Sequence, residues 1–324
     1  MSLPDFLDSD EIKRRLDARL GPVHARQRLG IEREHEAQAF GQGLTLFHME
    51  NLPYSHVVIE SVLRLTGMFW IGRRNASMIR VVTREVASDR LPAAFDGYTI
   101  LQLTDLHCDM NPRAMTRLVR AIEGLDYDLC VLTGDYRGQT FGDYRPCLKG
   151  LARIREEIKT DAYAVLGNHD TILMTPDLED MGIRVLLNEH VVIERAGARI
   201  WLAGVDDAHF FRVDNIEKAA DNIPEDGYSI LLSHTPEIYR QASHAGFDLM
   251  LCGHTHGGQI CLPGGVPVIL DAVIPRYMGR GAWKFGAMEG YTSPGAGSSI
   301  VPVRFNCPPE ITLHRLRRRP SAAQ

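Results

Sequence analysis

The sequence lacks any C-x-x-C pair; its six cysteines, Cys108, Cys130, Cys147, Cys252, Cys261 and Cys307, are scattered along the chain. That spacing excludes a zinc knuckle or a thioredoxin-like motif and leaves reduced thiols as the simplest reading. Cys130 and Cys252 fall inside apolar runs, where a free thiol behaves as a small buried hydrophobe, and a reducing compartment follows. Long apolar runs are also missing. The best stretch is interrupted by Arg64, Arg73 and Arg74, short of the roughly 18 uninterrupted apolar residues that cross a bilayer. The opening MSLPDFLDSDEIKRRLDARL mixes charges around no apolar centre, unlike a secretory signal. The expectation is a cytoplasmic protein, or one seated peripherally on the inner membrane. Charge of one sign is scarce too: a formal net charge of -5 over 324 residues gives no global field for nucleic acid. What remains is an ordinary soluble composition, 44% hydrophobic and 24% charged, with no solenoid repeat or low-complexity block.

Three regions differ in character. Residues 1–40 are polar and rich in Arg and Glu, with Leu16, Leu20 and Leu29 too sparse for a strong apolar face; the expectation is an exposed helix or partly ordered extension. From Leu44 to Ile71 the chain turns apolar and helical in pattern, through Val57, Val58, Ile59, Val62, Leu63, Leu65, Met68, Phe69, Trp70 and Ile71. Two readings compete there: a helix packed on the catalytic domain, or an interfacial helix over 44–75 that lays Phe69 and Trp70 into a membrane beside arginines. Beyond Asn75, short apolar runs alternate with helix-like segments at 112–124, 144–158 and 236–245, an α/β pattern. The division expected is 1–75, an N-terminal helical extension; 76–316, a catalytic domain; and 317–324, a basic tail.

Each predicted strand delivers polar residues at its C-terminal end, where layered α/β sheets bind ligands. The run 98–104 ends in Asp105-Leu106-His107, 129–133 in Gly134-Asp135, and 163–166 in Gly167-Asn168-His169-Asp170. The run 229–232 precedes Ser233-His234, and 249–252 precedes Gly253-His254-Thr255-His256. A lone histidine is more often structural than a ligand. Seven oxygen and imidazole donors from five strand ends (Asp105, His107, Asp135, Asn168, His234, His254 and His256) are a different matter. Such a mixed set suits Mn, Fe, Zn or Co better than calcium. Gly134, Gly167, Gly253, Gly257 and Gly258 fit places where backbone must approach closely. Arg137 and Arg304 are candidates for substrate phosphate through their planar forks, although surface arginines are the commoner case. Asp206 and Asp207 follow another strand, with an exposed turn as the default.

In order and spacing these motifs, from Asp105-x-His107 to Gly253-His254-x-His256, resemble the calcineurin-like metallophosphoesterases over about residues 79–314. The closing stretches 291–295 and 302–310 are similar to a bacterial branch that often has an N-terminal membrane anchor, which includes hydrolases of simple phosphodiesters and of UDP-2,3-diacylglucosamine. The resemblance implies a layered β-sandwich flanked by helices and two divalent metal ions. One would be held by Asp105, His107, Asp135 and His256, the other by Asp135, Asn168, His234 and His254, with Asp135 bridging at the roughly 3.5–4 Å that two-metal chemistry needs. It implies attack on phosphorus by a bridging hydroxide, and for His169 a catalytic contact with the scissile phosphate or leaving oxygen. The chain departs from many relatives in carrying Gly138 where an Asp orients that histidine, which leaves Asp170 or Asp143 as partners for it. The substrate expected is a phosphoester or a nucleotide diphosphate, lipid-linked if 44–75 meets a membrane. A metal-stabilised scaffold without activity is the alternative from another class.

Overall fold

The computed structural model describes residues 9–40 and 55–319. Four helices come first: α1 (Ser9–Leu20), α2 (Pro22–Phe40), α3 (Ser55–Leu65) and α4 (Met68–Asn75). Residues 44–54 of the predicted apolar segment and 320–324 of the basic tail lie outside the described residues. The helix expected through 57–71 is two helices. Gly67, at φ 72°, takes the left-handed conformation that ends α3 and starts α4 at a new angle.

The remaining elements build two sheets. The strands are β1 (Arg80–Ser88), β2 (Thr99–Leu103), β3 (Leu129–Thr133), β4 (Ala162–Val165), β5 (Ile183–Val185), β6 (Glu189–Arg195), β7 (Ala198–Gly204), β8 (Ser229–Leu232), β9 (Leu249–Cys252), β10 (Cys261–Leu262), β11 (Val266–Pro267), β12 (Gly281–Phe285), β13 (Met288–Thr292) and β14 (Glu310–Arg318). One six-stranded sheet runs β1-β14-β2-β3-β4-β5 and the other β12-β13-β9-β8-β7-β6, while β10 and β11 form a small hairpin. At the centre of each sheet neighbours are parallel: β2, β3 and β4 in one, β7, β8 and β9 in the other. Parallel neighbours align their C-terminal ends on one edge, so the motif-bearing loops of each sheet emerge together.

Alternation along the strands divides the core into layers. Ile100, Leu129, Val131, Ile230, Leu232, Leu249 and Leu251 point between the sheets. Their neighbours Leu101, Leu103, Cys130 and Leu132 face the other way. That outer face is covered by Met115, Leu118 and Ile122 of α5 (Pro112–Ile122) and Leu148, Leu151 and Ile154 of α6 (Arg145–Glu157). Three shorter helices, α7 (Thr175–Asp180), α8 (Ile216–Ala220) and α9 (Tyr239–His244), complete the flanks, with Ala219, Tyr239 and Ala242 packing beneath the second sheet. The segment expected as one helix at 236–245 starts instead as a 3-10 turn over Pro236–Ile238, capped by the Thr235 hydroxyl. The fold is thus a mixed α/β sandwich with helices on its outer faces and at its N-terminal side. All six cysteines are free and buried.

Residues 9–40 depart from expectation. Ile12, Leu16 and Ala25 of α1 and α2 belong to the core cluster of the first sheet, and Arg28 is 0% exposed. The low apolar content of the hairpin hides a polar latch. Arg28 meets Asp206 at 3.3 Å, donates to the Asp170 carbonyl at 3.1 Å and covers the Phe211 ring at 3.6 Å. Glu32 accepts from Thr171 Oγ1 at 2.5 Å and from the Ile172 amide at 2.8 Å. Arg15 forks onto Asp180 through two 2.7 Å bonds. A buried ion pair is stable only when geometry and further hydrogen bonds offset desolvation, and these residues supply both.

Candidate metal centre

The seven predicted donors converge where the strand ends of both sheets meet, and all seven are buried. Asp105 and His107 follow β2, Asp135 follows β3, Asn168 follows β4, His234 follows β8, and His254 and His256 follow β9. The tight turns are visible in the backbone. Asp105, His107, Asp135, His254 and His256 all have positive φ, between 40° and 70°. Non-glycine residues in that region cost on the order of 1 kcal/mol each and persist where the surroundings over-determine them. Two glycines make room for the carboxylates: a Cβ on Gly167 would overlap Asp135, and one on Gly253 would overlap Asp105 and Thr104. Gly295 and Gly297 do the same from the closing loop, pressing on Asp105 and Leu106. Their role was not visible in sequence, because 190 residues separate Gly295 from Asp105.

Distances divide the donors into two groups. Ligand atoms of Asp105, His107 and His256 lie within 4.8 Å of one another, as do those of Asp135, His234 and His254. In the first group His107 Nε2 is 3.1 Å from His256 Nε2, and Asp105 Oδ1 is 3.6 Å from the same atom. In the second, His234 Nε2 is 3.2 Å from Asp135 Oδ2 and 2.9 Å from Asn168 Oδ1. Two rings are aimed by backbone carbonyls: His107 Nδ1–H donates to Arg137 and His234 Nδ1–H to Thr133, each at 2.8 Å. That tautomer directs the Nε2 lone pair inward. Asp170, one of the partners predicted for His169, instead accepts from the amides of Asp135, Tyr136 and Gly167, which fixes the loop under Asp135.

The electrostatics are those of a cation cradle. Burial lowers His107 to about 4 and pushes His254 and His256 well below the usual imidazole range, so all three are neutral, the form that ligates a cation. Burial raises Asp105 to about 7, with Asp135 adding repulsion. Burial would raise Asp135 as well, but His234 and then His169 draw it well below the carboxylate range. His234 resists its own burial through Asp135 and rises to about 10, so without a cation its Nε2 carries a proton toward Asp135, and a bound cation would take that proton's place. Nε2 of His254 is buried without a hydrogen-bond partner, a costly condition that a cation at that lone pair removes. Two buried carboxylates, inward imidazole lone pairs and an amide oxygen therefore fit divalent metal ions.

His169 lies beside this set. Its amide donates to Asp135 Oδ1 at 3.0 Å and its Nε2 is 3.9 Å from Asp135 Oδ2. Its Nδ1 lies 3.2 Å from the hydroxyl of Thr140. A hydroxyl thus stands where Asp170 or Asp143 was expected, and Asp143 pairs with Arg145 at the surface. A Cβ on Gly138 would meet Met110 and Asp109, and the His169 ring is contacted by Thr140, two residues on.

Arg137 and Arg304 both spend their guanidinium groups on backbone carbonyls. The Arg137 guanidinium donates to the carbonyls of Thr140, Gly142 and His169. Arg304, 0% exposed, donates to those of Pro294, Gly295, Gly297, His256 and Cys307 and lies 3.2 Å from His256 Nδ1. Each fork ties loops around the donors, because buried carbonyls at turns need donors that no strand supplies. Asp206 and Asp207 do not sit on an exposed turn: Asp206 holds Arg28 and His24, and Asp207 accepts from the amides of 209–211. Sequence reasoning also missed His209, whose ring centroid is 4.1 Å from that of His254 and whose Nδ1 meets Glu237 at 2.7 Å.

Comparison with known proteins agrees with this geometry. The family model for calcineurin-like phosphoesterase matches residues 98–258. A Bacillus subtilis protein named as the uncharacterized metallophosphoesterase YkoQ is 30% identical over 267 residues, covering 79% of this chain and 97% of that one. The phosphodiesterase YaeI of Escherichia coli is 31% identical over 237 residues, 68% of this chain and 82% of its own. A Danio rerio transmembrane protein with a metallophosphoesterase domain is 28% identical over 277 residues, which is 79% of this chain but 60% of that longer protein. The chain belongs to the calcineurin-like phosphoesterase family and is a metal-dependent phosphoester hydrolase.

Proposed function

We propose that the chain hydrolyses a phosphodiester or diphosphate bond at a dinuclear metal centre, in a substrate that carries an apolar tail. The observation that carries the first half is the pair of donor groups set side by side in one buried site, with Asp135 facing His234 and His169 together. Asp105, His107 and His256 would hold one ion, Asn168, His234 and His254 the other, and Asp135 would bridge them. Two such cations, of Mn, Fe, Zn or Co, supply positive charge to phosphoryl oxygens and acidity to a water molecule. The protein's own part is orientation. Asp170 fixes the loop of Asp135, backbone carbonyls fix the rings of His107 and His234, and Thr140 sets the ring of His169. With its Nε2 toward the centre, His169 is placed to donate a proton to a leaving oxygen or a hydrogen bond to the phosphoryl group, a contribution of typically about 10²–10⁴-fold for such general acids.

The second half rests on an apolar groove of about 470 Å³ that starts at His254 and His256 and runs past Ile260, Ile269 and Val301 to Ile59 of α3. Phosphate chemistry has no use for such a lining, whereas an acyl chain does. The groove ends where α3 and α4 turn an apolar face outward, with Leu65 88% exposed and Trp70 62% exposed. Clustered exposure of this kind marks an interaction surface. Arg64, Arg73 and Arg74 lie on the same helices, a combination suited to an anionic lipid surface. No helix among the described residues is long and apolar enough to cross a membrane. The contact proposed is peripheral, and the substrate class is a lipid-borne phosphoester or nucleotide diphosphate such as UDP-2,3-diacylglucosamine.

Manganese-loaded protein is expected to hydrolyse bis-p-nitrophenyl phosphate, to stop with chelator, and to turn over a vesicle-borne acylated diphosphate with a higher kcat/KM than the soluble ester. Inactivity of Mn-, Fe- and Zn-loaded protein on all these esters would remove the hydrolytic reading. Equal turnover of tailed and tail-free substrates would remove only the lipid half.

A further inference from the structure

A second cleft, of about 820 Å³, opens between the α1–α2 hairpin and residues 137–145. None of the seven donors lines it. Its floor is nevertheless the segment that positions His169: Thr140, whose hydroxyl meets the ring, and Arg137, which donates to the His169 carbonyl. Thr140 is the link: it lines the cleft, and its hydroxyl lies 3.2 Å from His169 Nδ1, so a single side chain separates this cleft from His169.

The charges around the cleft are not equivalent. Glu32 is committed to Arg28, Thr171 and Ile172, Asp143 to Arg145, and Arg137 to backbone carbonyls. Asp10 is engaged as well. Lys13 on α1 and Arg33 on α2 line the cleft, are exposed, and form no ion pair among the described residues, facing Glu36 as the remaining acid. The other basic residues turned toward the body of the protein from this hairpin, Arg15, Arg19 and Arg28, are all paired with acids. Phe141 and Tyr144 add aromatic side chains to the lining, while the Phe211 ring is covered by Arg28. Two unspent cations lining one cleft with aromatic side chains are the chemistry that grips an anionic, ring-bearing group.

We infer that this cleft is a subsite for an anionic, ring-bearing part of the substrate, held by Lys13 and Arg33. The hairpin then sets selectivity from outside the segment that the family model matches. The inference deepens the hydrolytic reading and rests on it for the substrate, but not for the binding.

Two esters with one leaving group test it: thymidine 5′-(p-nitrophenyl phosphate) and its analogue bearing an additional 3′-phosphate. The wild type is expected to prefer the 3′-phosphorylated ester in kcat/KM by about fivefold, the scale of exposed charge contacts. The double variant Lys13→Glu/Arg33→Glu brings that ratio to one or below, while Arg26→Glu, exposed on α2 away from the cleft, leaves it in place. An independent readout is calorimetric binding of thymidine 3′,5′-bisphosphate to metal-free full-length chain, expected to weaken about tenfold in the double variant, as like charge replaces attraction. A wild-type ratio of one, or equal affinity in the wild type and the double variant, overturns the subsite. If the wild type hydrolyses neither ester, the hydrolytic reading fails on its own and the calorimetric comparison still decides the cleft.

Discussion

The two helical pairs at the N-terminal side make opposite use of their composition. The α1–α2 hairpin is polar, yet it docks: Arg28 is fully buried and His24, Glu32 and Arg15 each find a partner on the catalytic module. The α3–α4 pair is apolar, yet it leaves Val58, Val62, Leu65, Trp70 and Ile71 exposed, while Ile59, Leu63 and Phe69 pack on residues 300–305. Average polarity thus says little about which helix is held. What decides is whether the facing surface offers the matching group. For α2 it offers Asp206 and the amide of Ile172, and for the outer face of α3–α4 the described residues offer nothing. A charge without water needs a partner, and an apolar face without protein needs another apolar phase.

The contrast breaks most readily at Arg28. Replacing it with alanine leaves Asp206 buried and short of its main counter-charge, and loss of one partner of a buried pair costs about 3–5 kcal/mol. Urea unfolding of Arg28→Ala should show a loss of that size, and a loss under about 1 kcal/mol would mean that the latch is not what holds the hairpin. On the other pair the expected effect is on partition, not stability. Leu65→Glu/Trp70→Glu should lower binding to vesicles of anionic lipid at least tenfold, since burying one large apolar side chain is worth about 1.5–3 kcal/mol. The unfolding midpoint should move little, and flotation equal to wild type would dissociate the face from membranes. The smallest effect is in pH. Burial works against ionisation of Asp206, but Arg28 and His24 hold it below the ordinary 3.8. A lowered folded value means that the pair's contribution is complete above 3.8 and fades as pH falls through the folded value. In metal-free protein the stability gap between wild type and Asp206→Asn should therefore be constant near pH 6 and narrow in acid; a gap that widens in acid would contradict the assignment.

Much of the sandwich and of the convergence of the candidate donors was legible because both follow short-range rules. Strand alternation at Leu129 to Thr133 and at Leu249 to Cys252, and polar residues at each strand end, are local signals that parallel neighbours then bring to one edge. Partnerships spanning long separations were hidden. Arg304 resembled a surface arginine until the turns at 294–297 and 256 closed around it. The departure at Gly138 was readable, but the contact of Thr140 with His169 depends on the path of a loop. The hairpin was misjudged because apolar periodicity measures only one way of burying a helix, and α2 uses hydrogen-bonded charge.

The central claim is that one carboxylate, Asp135, serves two cations. The most direct measurement is metal content by mass spectrometry after reconstitution and removal of excess ion, on wild type and Asp135→Asn. The account predicts about two ions per wild-type chain, no more than one in the variant, and loss of bis-p-nitrophenyl phosphate hydrolysis, since a neutral amide cannot offset the repulsion of paired cations. One ion per wild-type chain, or an unchanged two in Asp135→Asn, would contradict it.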